Sequence, residues 1–453
     1  MWIMIPSLAS VVDGLAPVFT QPSFATSCQL LLGWVMCLGK HTLLRVAETT
    51  HPEQTPDHSQ RHNFDCYYNF FERSSWKPKD LAYRVAVLLL THLKFFGSIT
   101  LLVDDTLTHK RGKSVWGMGW FRDAVASTQK RVATATGHNW VVVAVAYCLP
   151  GTSTPLLALP LLARLHLPGK GQPSCAALAR QMLSEVLDWF PTRSFTLVGD
   201  CAYACQEMLG DWPEKRASFT GRLRGDAALY DPKVPKQPRS KPGRKPSKGP
   251  RLPSPREAAK RADRKRSQTP WQWQEVSVEV YGKERTLQAL SYEALWPRVL
   301  GLRAIKVVVV RDPEGKMRDC YLFTTNLETR VEEVIRQFAW RWSIEVLFRA
   351  SKQVMDIEAP QHYSQASVEK VGPWVWAMQS AIMLWYITAG RESAEAVEMR
   401  ARLGEWDSEW SLRHMIRVLQ RTILNASFDI NSTDLAQLRQ MTQTLQNWAL
   451  LAA

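Results

Sequence analysis

SITLLVDDT, residues 98–106, is an apolar run that closes on two acids, and SFTLVGD, residues 194–200, repeats the pattern with one. Short runs of this kind read as strands buried in a sheet. Asp104 or Asp105 then stands at one strand end and Asp200 at another. Neighbouring strand residues point to opposite faces, so only one of the first pair can reach a given site. An aspartate after a strand also serves as a turn former or helix cap, and Asp200 is placed to cap the segment AYACQEML, residues 202–209.

Working outward, WVVVAVAYCL (140–149), PLLALPLLAR (155–164) and SFTGRLR (218–224) read as further strands, and CAALARQMLSEVLDWF (175–190) as an amphipathic helix. Strands first, then strands alternating with helices, predict a mixed α/β sheet. WQWQEVSVEVYG (271–282), AIKVVVVRD (304–312) and DCYLFTTN (319–326) add strands. One long helix is predicted from Glu328 to Val354, a mostly apolar one over 374–388, and a helical tail to Ala453. Upstream, CYYNFFERSSW (66–76) and PKDLAYRVAVLLLTHLKFF (78–96) read as helices, the second with Leu81, Val85, Leu88 and Leu89 at helical spacing and Pro78 in its first turn. The expected layout is a helical N-terminal DNA-binding domain (1–97), a core built from 98–225 and 328–390, an insertion (226–327) and a helical C-terminal region (391–453).

The chain has 453 residues, 45% hydrophobic and 22% charged, ordinary proportions for a globular protein able to bury a large core. Its eight cysteines are scattered, with no Cys-x-x-Cys pair, which excludes a disulfide scaffold and fits a cytosolic protein. MWIMIPSLAS at the start lacks the basic residues of a signal peptide. The longest apolar stretch, Val371 to Gly390, holds Gly372, Pro373, Gln379 and Ser380, so it reads as a buried core helix before a membrane span. The net charge is +15, of which +12 lies between Lys233 and Arg266. Residues 231–269 are rich in Pro, Lys, Arg, Ser and Gly and are expected to be disordered. That segment, Arg244 and Lys245 included, reads either as a polyanion-binding strap or as a solvated linker.

Acids at the ends of buried strands are costly unless a cation neutralises them, and magnesium takes a few carboxylates together with phosphate oxygens. Two such ions can clamp the attacking and leaving oxygens of a phosphoryl displacement. A third acid, Glu345, lies in FAWRWSIEVLFRASKQ (338–353), where Arg341, Glu345, Arg349 and Lys352 recur at helical spacing. One carboxylate among three cations suits a metal beside DNA phosphates, and it equally suits a salt-bridged helix surface.

Phe338, Arg341, Glu345 and Lys352 match, with Phe for Tyr at the first place, the Tyr-x2-Arg-x3-Glu-x6-Lys signature of insertion-sequence-4-like DDE transposases. LLVDDT resembles that class's first-aspartate strand, in which the acid precedes a Thr and which selects Asp105. VGDCAYA resembles its second. GHNW and PGRKPSKGPRL are similar to segments of the insertion-sequence-701 branch. The resemblance spans about residues 60–390. It implies a ribonuclease H-like core with a β-rich insertion, two Mg2+ ions (Mn2+ substituting) on Asp105, Asp200 and Glu345, and phosphate contacts from Arg341 and Lys352. In this family a Trp before the signature helix stacks on a displaced base; here Tyr321, Trp271 and Trp273 are the candidates. The implied function is cleavage at transposon ends and strand transfer into target DNA, by a homodimer on double-stranded DNA in a nucleoid-associated, cytoplasmic setting. A structure-selective nuclease or resolvase, and a non-catalytic domesticated DNA-binding protein, are the alternatives.

Overall fold

A computed structural model of the chain describes residues 2–50, 64–128, 130–148, 156–234, 247–264, 271–404, 408–428 and 440–445. Ten strands form one mixed sheet. They are β1 (Ile99–His109), β2 (Gly119–Arg122), β3 (Thr134–Cys148), β4 (Leu156–His166), β5 (Phe195–Gly199), β6 (Ala217–Arg222), β7 (Gln274–Val280), β8 (Lys283–Leu295), β9 (Ala304–Arg311) and β10 (Cys320–Thr324). The order is β2-β3-β1-β5-β6-β10-β9-β8-β7, with β4 also on β3. β1 runs antiparallel to β3 and parallel to β5, and β5 runs parallel to β6. β7 to β10 continue the same sheet through the antiparallel pair β10–β6, so the strands of the expected insertion extend the central sheet.

Fourteen α-helices are present among the described residues. The helix Gln365–Thr388 is buried along most of its length. Its burial is explained by its neighbours: Pro6–Val12, Asp65–Glu72, Pro78–His92 and β4 pack around it. Gly372 faces the Trp140 ring so closely that a Cβ would lie 2.9 Å from it. Among the described residues no helix is long and apolar enough to cross a membrane. Among the described residues, the N-terminal helices share one core with this helix. Buried indole N–H groups tie the two ends of the chain together: Trp34 donates to the Met355 carbonyl and Trp374 to the Ser27 hydroxyl.

Two expectations need correction. The helix expected over 328–354 is two helices, Val331–Trp340 and Trp342–Gln353. At their junction the Arg341 N–H bonds back to Phe338 and Ala339, and the Ile344 N–H to Arg341, the tighter pattern of a 3₁₀ turn. The basic segment is also partly folded. Pro255–Ala262 is a helix with a Ser254–Glu257 capping box, and it buries Ala258 and Ala259 against Leu290 and Val309. Arg244 and Lys245 lie outside the described residues.

Candidate active site

The β1–β5 pairing ends at Leu102 opposite Val198, and both strands then run on toward the same edge of the sheet. Asp200 follows β5 directly, and its Oδ1 accepts the Ala202 N–H at 2.8 Å, so it also shapes the turn there. Asp104 lies two residues past the last β1–β5 pair. β1 itself continues to His109 against β3, so neither acid of the pair ends the strand.

Arg341 gathers the acids. One Nη of its guanidinium bonds Asp104 Oδ2 at 3.1 Å and the other bonds Glu345 Oε1 at 2.7 Å. Both Arg341 and Asp104 have side chains only 19% exposed. Burial works against the charge on Arg341, yet Asp104, Glu345 and Asp200 together hold its pKa above the ordinary value. Burial pushes the Asp104 carboxyl up to about 7, with Arg341 opposing and Asp200 and Asp105 adding to the rise. Asp104 and Glu345 thus bracket the guanidinium, and Asp200 is near enough to act on it by charge.

Asp105 is not in that group. Its carboxylate accepts the buried Tyr203 hydroxyl and an Asn139 N–H, each at 3.2 Å, and Asn139 also reaches Cys175. Strand alternation sends Asp104 and Asp105 to opposite faces, and the helix Trp342–Gln353 packs on the Asp104 side. Asp104, and not the expected Asp105, is thus the acid of the pair that meets Arg341 beside Glu345. The rule that an acid must directly precede Thr106 carries no information about which face it occupies.

The three cations of the helix also separate. Arg349 joins the exposed stripe of Trp342, Val346 and Gln353, and it lines a cleft of about 230 Å³ with Leu156, Trp410 and Arg413. Lys352 is half-buried; burial lowers its pKa, while Glu358 and Asp123 oppose the shift. Phe338 packs in the cluster around Val276 and Leu322 and sits 5.8 Å from the Arg341 guanidinium. Trp271 and Trp273 belong to a small cluster with the helix Pro255–Ala262, where Trp273 bonds Asp263 and lies beneath Arg311. The aromatic beside the site is one the sequence reading missed, Tyr281. It is 64% exposed, feels the charges of Arg341 and Glu345, and holds φ 54° in the two-residue turn between β7 and β8. The Tyr-Gly pair at that turn is the local signal, since a primed turn requires φ > 0 at both places.

A family profile described as DDE superfamily endonuclease matches residues 15–284, more than half of the chain. The chain belongs to that family. The matched span contains Asp104, Asp105 and Asp200 of this family member, while Arg341, Glu345 and Lys352 lie beyond it. A solved structure titled as a piggyBac transposase synaptic complex with hairpin DNA is similar at 10% identity. It covers 98% of this chain and 83% of that one, with a TM-score of 0.37. No sequence among the curated proteins matches the chain.

Members of such a family are endonucleases for which a divalent metal is the expected cofactor. The donor set here is carboxylate oxygen, the chemistry that magnesium prefers. Asp104 and Glu345 already share a positive group, the Arg341 guanidinium, which shows that the cleft accommodates a cation between them. Among the described residues no three acids, histidines or cysteines are close enough as they stand to hold an ion.

Proposed function

We propose that the chain is a DNA transposase, an endonuclease and strand transferase whose carboxylate site is Asp104, Asp200 and Glu345. The observation that carries this reading is that Arg341 bonds both Asp104 of β1 and Glu345, while Asp200, directly after β5, is near enough to act on the same guanidinium by charge. The order β4–β3–β1–β5–β6, with β3 antiparallel and β5 and β6 parallel to β1, supports a ribonuclease H-like core in this half of the sheet. The similar transposase complex contains DNA by its title, and duplex DNA is the partner proposed here.

Asp104, Asp200 and Glu345 would hold two Mg2+ ions, with Mn2+ able to substitute. When bound, the metal lowers the pKa of water and neutralises charge on the phosphate in flight. The protein's own part is positional. Asp104 and Asp200 are fixed by adjacent parallel strands, and Glu345 by a helix packed on β1. With metal held by the carboxylates, the planar fork of Arg341 would pair with a backbone phosphate of the DNA. Lys352, whose charged neighbours are Glu358 and Asp123, would give a second phosphate contact. Tyr203 and Asn139 hold Asp105 on the far face, which keeps β1 in register beneath the site. Pairing two DNA ends calls for a homodimer.

The test is nicking of a plasmid that carries the DNA flanking the gene. Wild type nicks with Mg2+, leaves a 3′-hydroxyl and joins it to a second duplex. Asp200→Ala and Glu345→Ala bind the same DNA and do not nick. Normal nicking by either variant overturns the assignment. Nicking without joining, at branched DNA of any sequence, favours the resolvase reading.

A further inference from the structure

The segment between β1 and β3 carries a second basic surface, separate from the carboxylates. Residues 110–133 contain Lys110, Arg111, Lys113, Arg122, Lys130 and Arg131 and a single acid, Asp123. Arg111, Lys113, Arg122, Lys130 and Arg131 are exposed, and none forms an ion pair among the described residues. Asp123 is already engaged by His109 Nε2 at 2.9 Å. Within β2 the exposure alternates: Phe121 turns in against the His166 ring, while Trp120 and Arg122 turn out together. Trp120 is 74% exposed, an unusual state for the largest apolar side chain.

This surface is held rigid. Lys110, at the end of β1, is buried and donates to the Glu358 and Pro360 carbonyls. His109 Nδ1 bonds Glu358, and the Trp116 N–H donates to the Tyr363 carbonyl. Glu358 to Tyr363 is the loop that leaves the helix bearing Glu345 and Lys352. The platform is therefore joined to the carboxylate site twice, through β1 and through that helix. His109 stands five residues beyond Asp104, about 17 Å along an extended strand. That distance corresponds to about five base pairs of duplex.

We propose that Trp120 and the cations Arg111, Lys113, Arg122, Lys130 and Arg131 form a DNA-docking platform for the duplex flanking the cleavage point. The proposal rests on the endonuclease reading for its register and on charge and exposure for its chemistry. Unpaired cations around an outward aromatic match a polyanion with apolar sugar edges. The cations contact phosphates on either side of the groove, and the Trp120 ring lies against the sugars between them.

The experiment uses the full-length chain and a duplex containing the nick site. Arg111, Lys113 and Arg122 are changed together to Gln, and Trp120 separately to Ala and to Phe. All these side chains are on the surface, so thermal unfolding should match wild type. The triple variant should shift the slope of log affinity against log salt by about 2.7, from three lost phosphate contacts. Its hydroxyl-radical footprint should lose protection about five base pairs from the nick and keep it at the nick. Trp120→Ala should weaken binding with the slope unchanged, and Trp120→Phe should restore it. An unchanged slope and footprint in the triple variant overturns the platform. A wild type that never nicks, while the triple variant still loses its salt slope, removes the endonuclease reading and leaves the platform standing.

Discussion

Asp104→Asn should make the metal-free protein more stable at pH 8 while abolishing nicking. The Asp104 carboxyl is raised from 3.8 to about 7, chiefly by burial. In the folded state it keeps a proton that the unfolded chain releases above pH 4. Its contribution is thus fully present below pH 4 and is lost as pH rises toward 7. A rise of about three units caps the cost of the ionised group at about 4 kcal/mol. The amide escapes that cost, and since the rise to about 7 already includes the opposing pull of Arg341, nothing more is subtracted. The gain is at most about 4 kcal/mol at pH 8 and near zero at pH 4, by the same linkage. Urea unfolding in a chelator at both pH values measures it. Added Mg2+ should stabilise wild type at pH 8 and leave the variant unmoved. A variant less stable than wild type at pH 8, or equally shifted at pH 4 and 8, would refute the reasoning.

Other outcomes follow from the same geometry. Asp105→Asn should retain nicking within about tenfold of wild type, a barrier change of about 1.4 kcal/mol, because its carboxylate faces Tyr203 and Asn139. Tyr203→Phe should cost about 1 kcal/mol of stability for one buried hydrogen bond and spare nicking. His109 has its pKa raised by Asp123, against burial and with help from Glu358. Its contribution is present below pH 6.5 and fades as pH rises through the raised value, so His109→Phe should flatten stability above pH 6.5. Tyr281→Asn should stabilise the chain by about 0.5–1 kcal/mol, since Asn tolerates positive φ, as thermal unfolding at fixed salt would report.

Much of this fold was legible from periodicity. The strands β1, β3, β4 and β5 carry near-continuous apolar runs because they are buried on both faces. What local pattern did not carry was long-range choice. Which strands pair is set by packing among distant segments, so the joining of β7 to β10 to the central sheet through β10 and β6 could not be read from local pattern. The helix Pro255–Ala262 was hidden by the charged composition around it, although Ser254 and Glu257 spell its capping box. At the site, the residue types were readable but the face was not. Alternation says that Asp104 and Asp105 diverge, and only the position of Arg341 tells which one meets Glu345. The break at Arg341 was likewise invisible, because its backbone stays helical across the junction. The exposed stripe that takes Arg349 away from Glu345 emerges only once the helix is docked on β1 and β4.

The most direct test of the account is a Mn2+ titration of the full-length protein bound to its DNA, followed by electron paramagnetic resonance. Wild type and Asp105→Asn should each take up the ion with the same affinity. Asp104→Asn, Asp200→Asn and Glu345→Gln should each lose it. Loss of binding in Asp105→Asn with full binding in Asp104→Asn would contradict the claim that residues 104, 200 and 345 make one site.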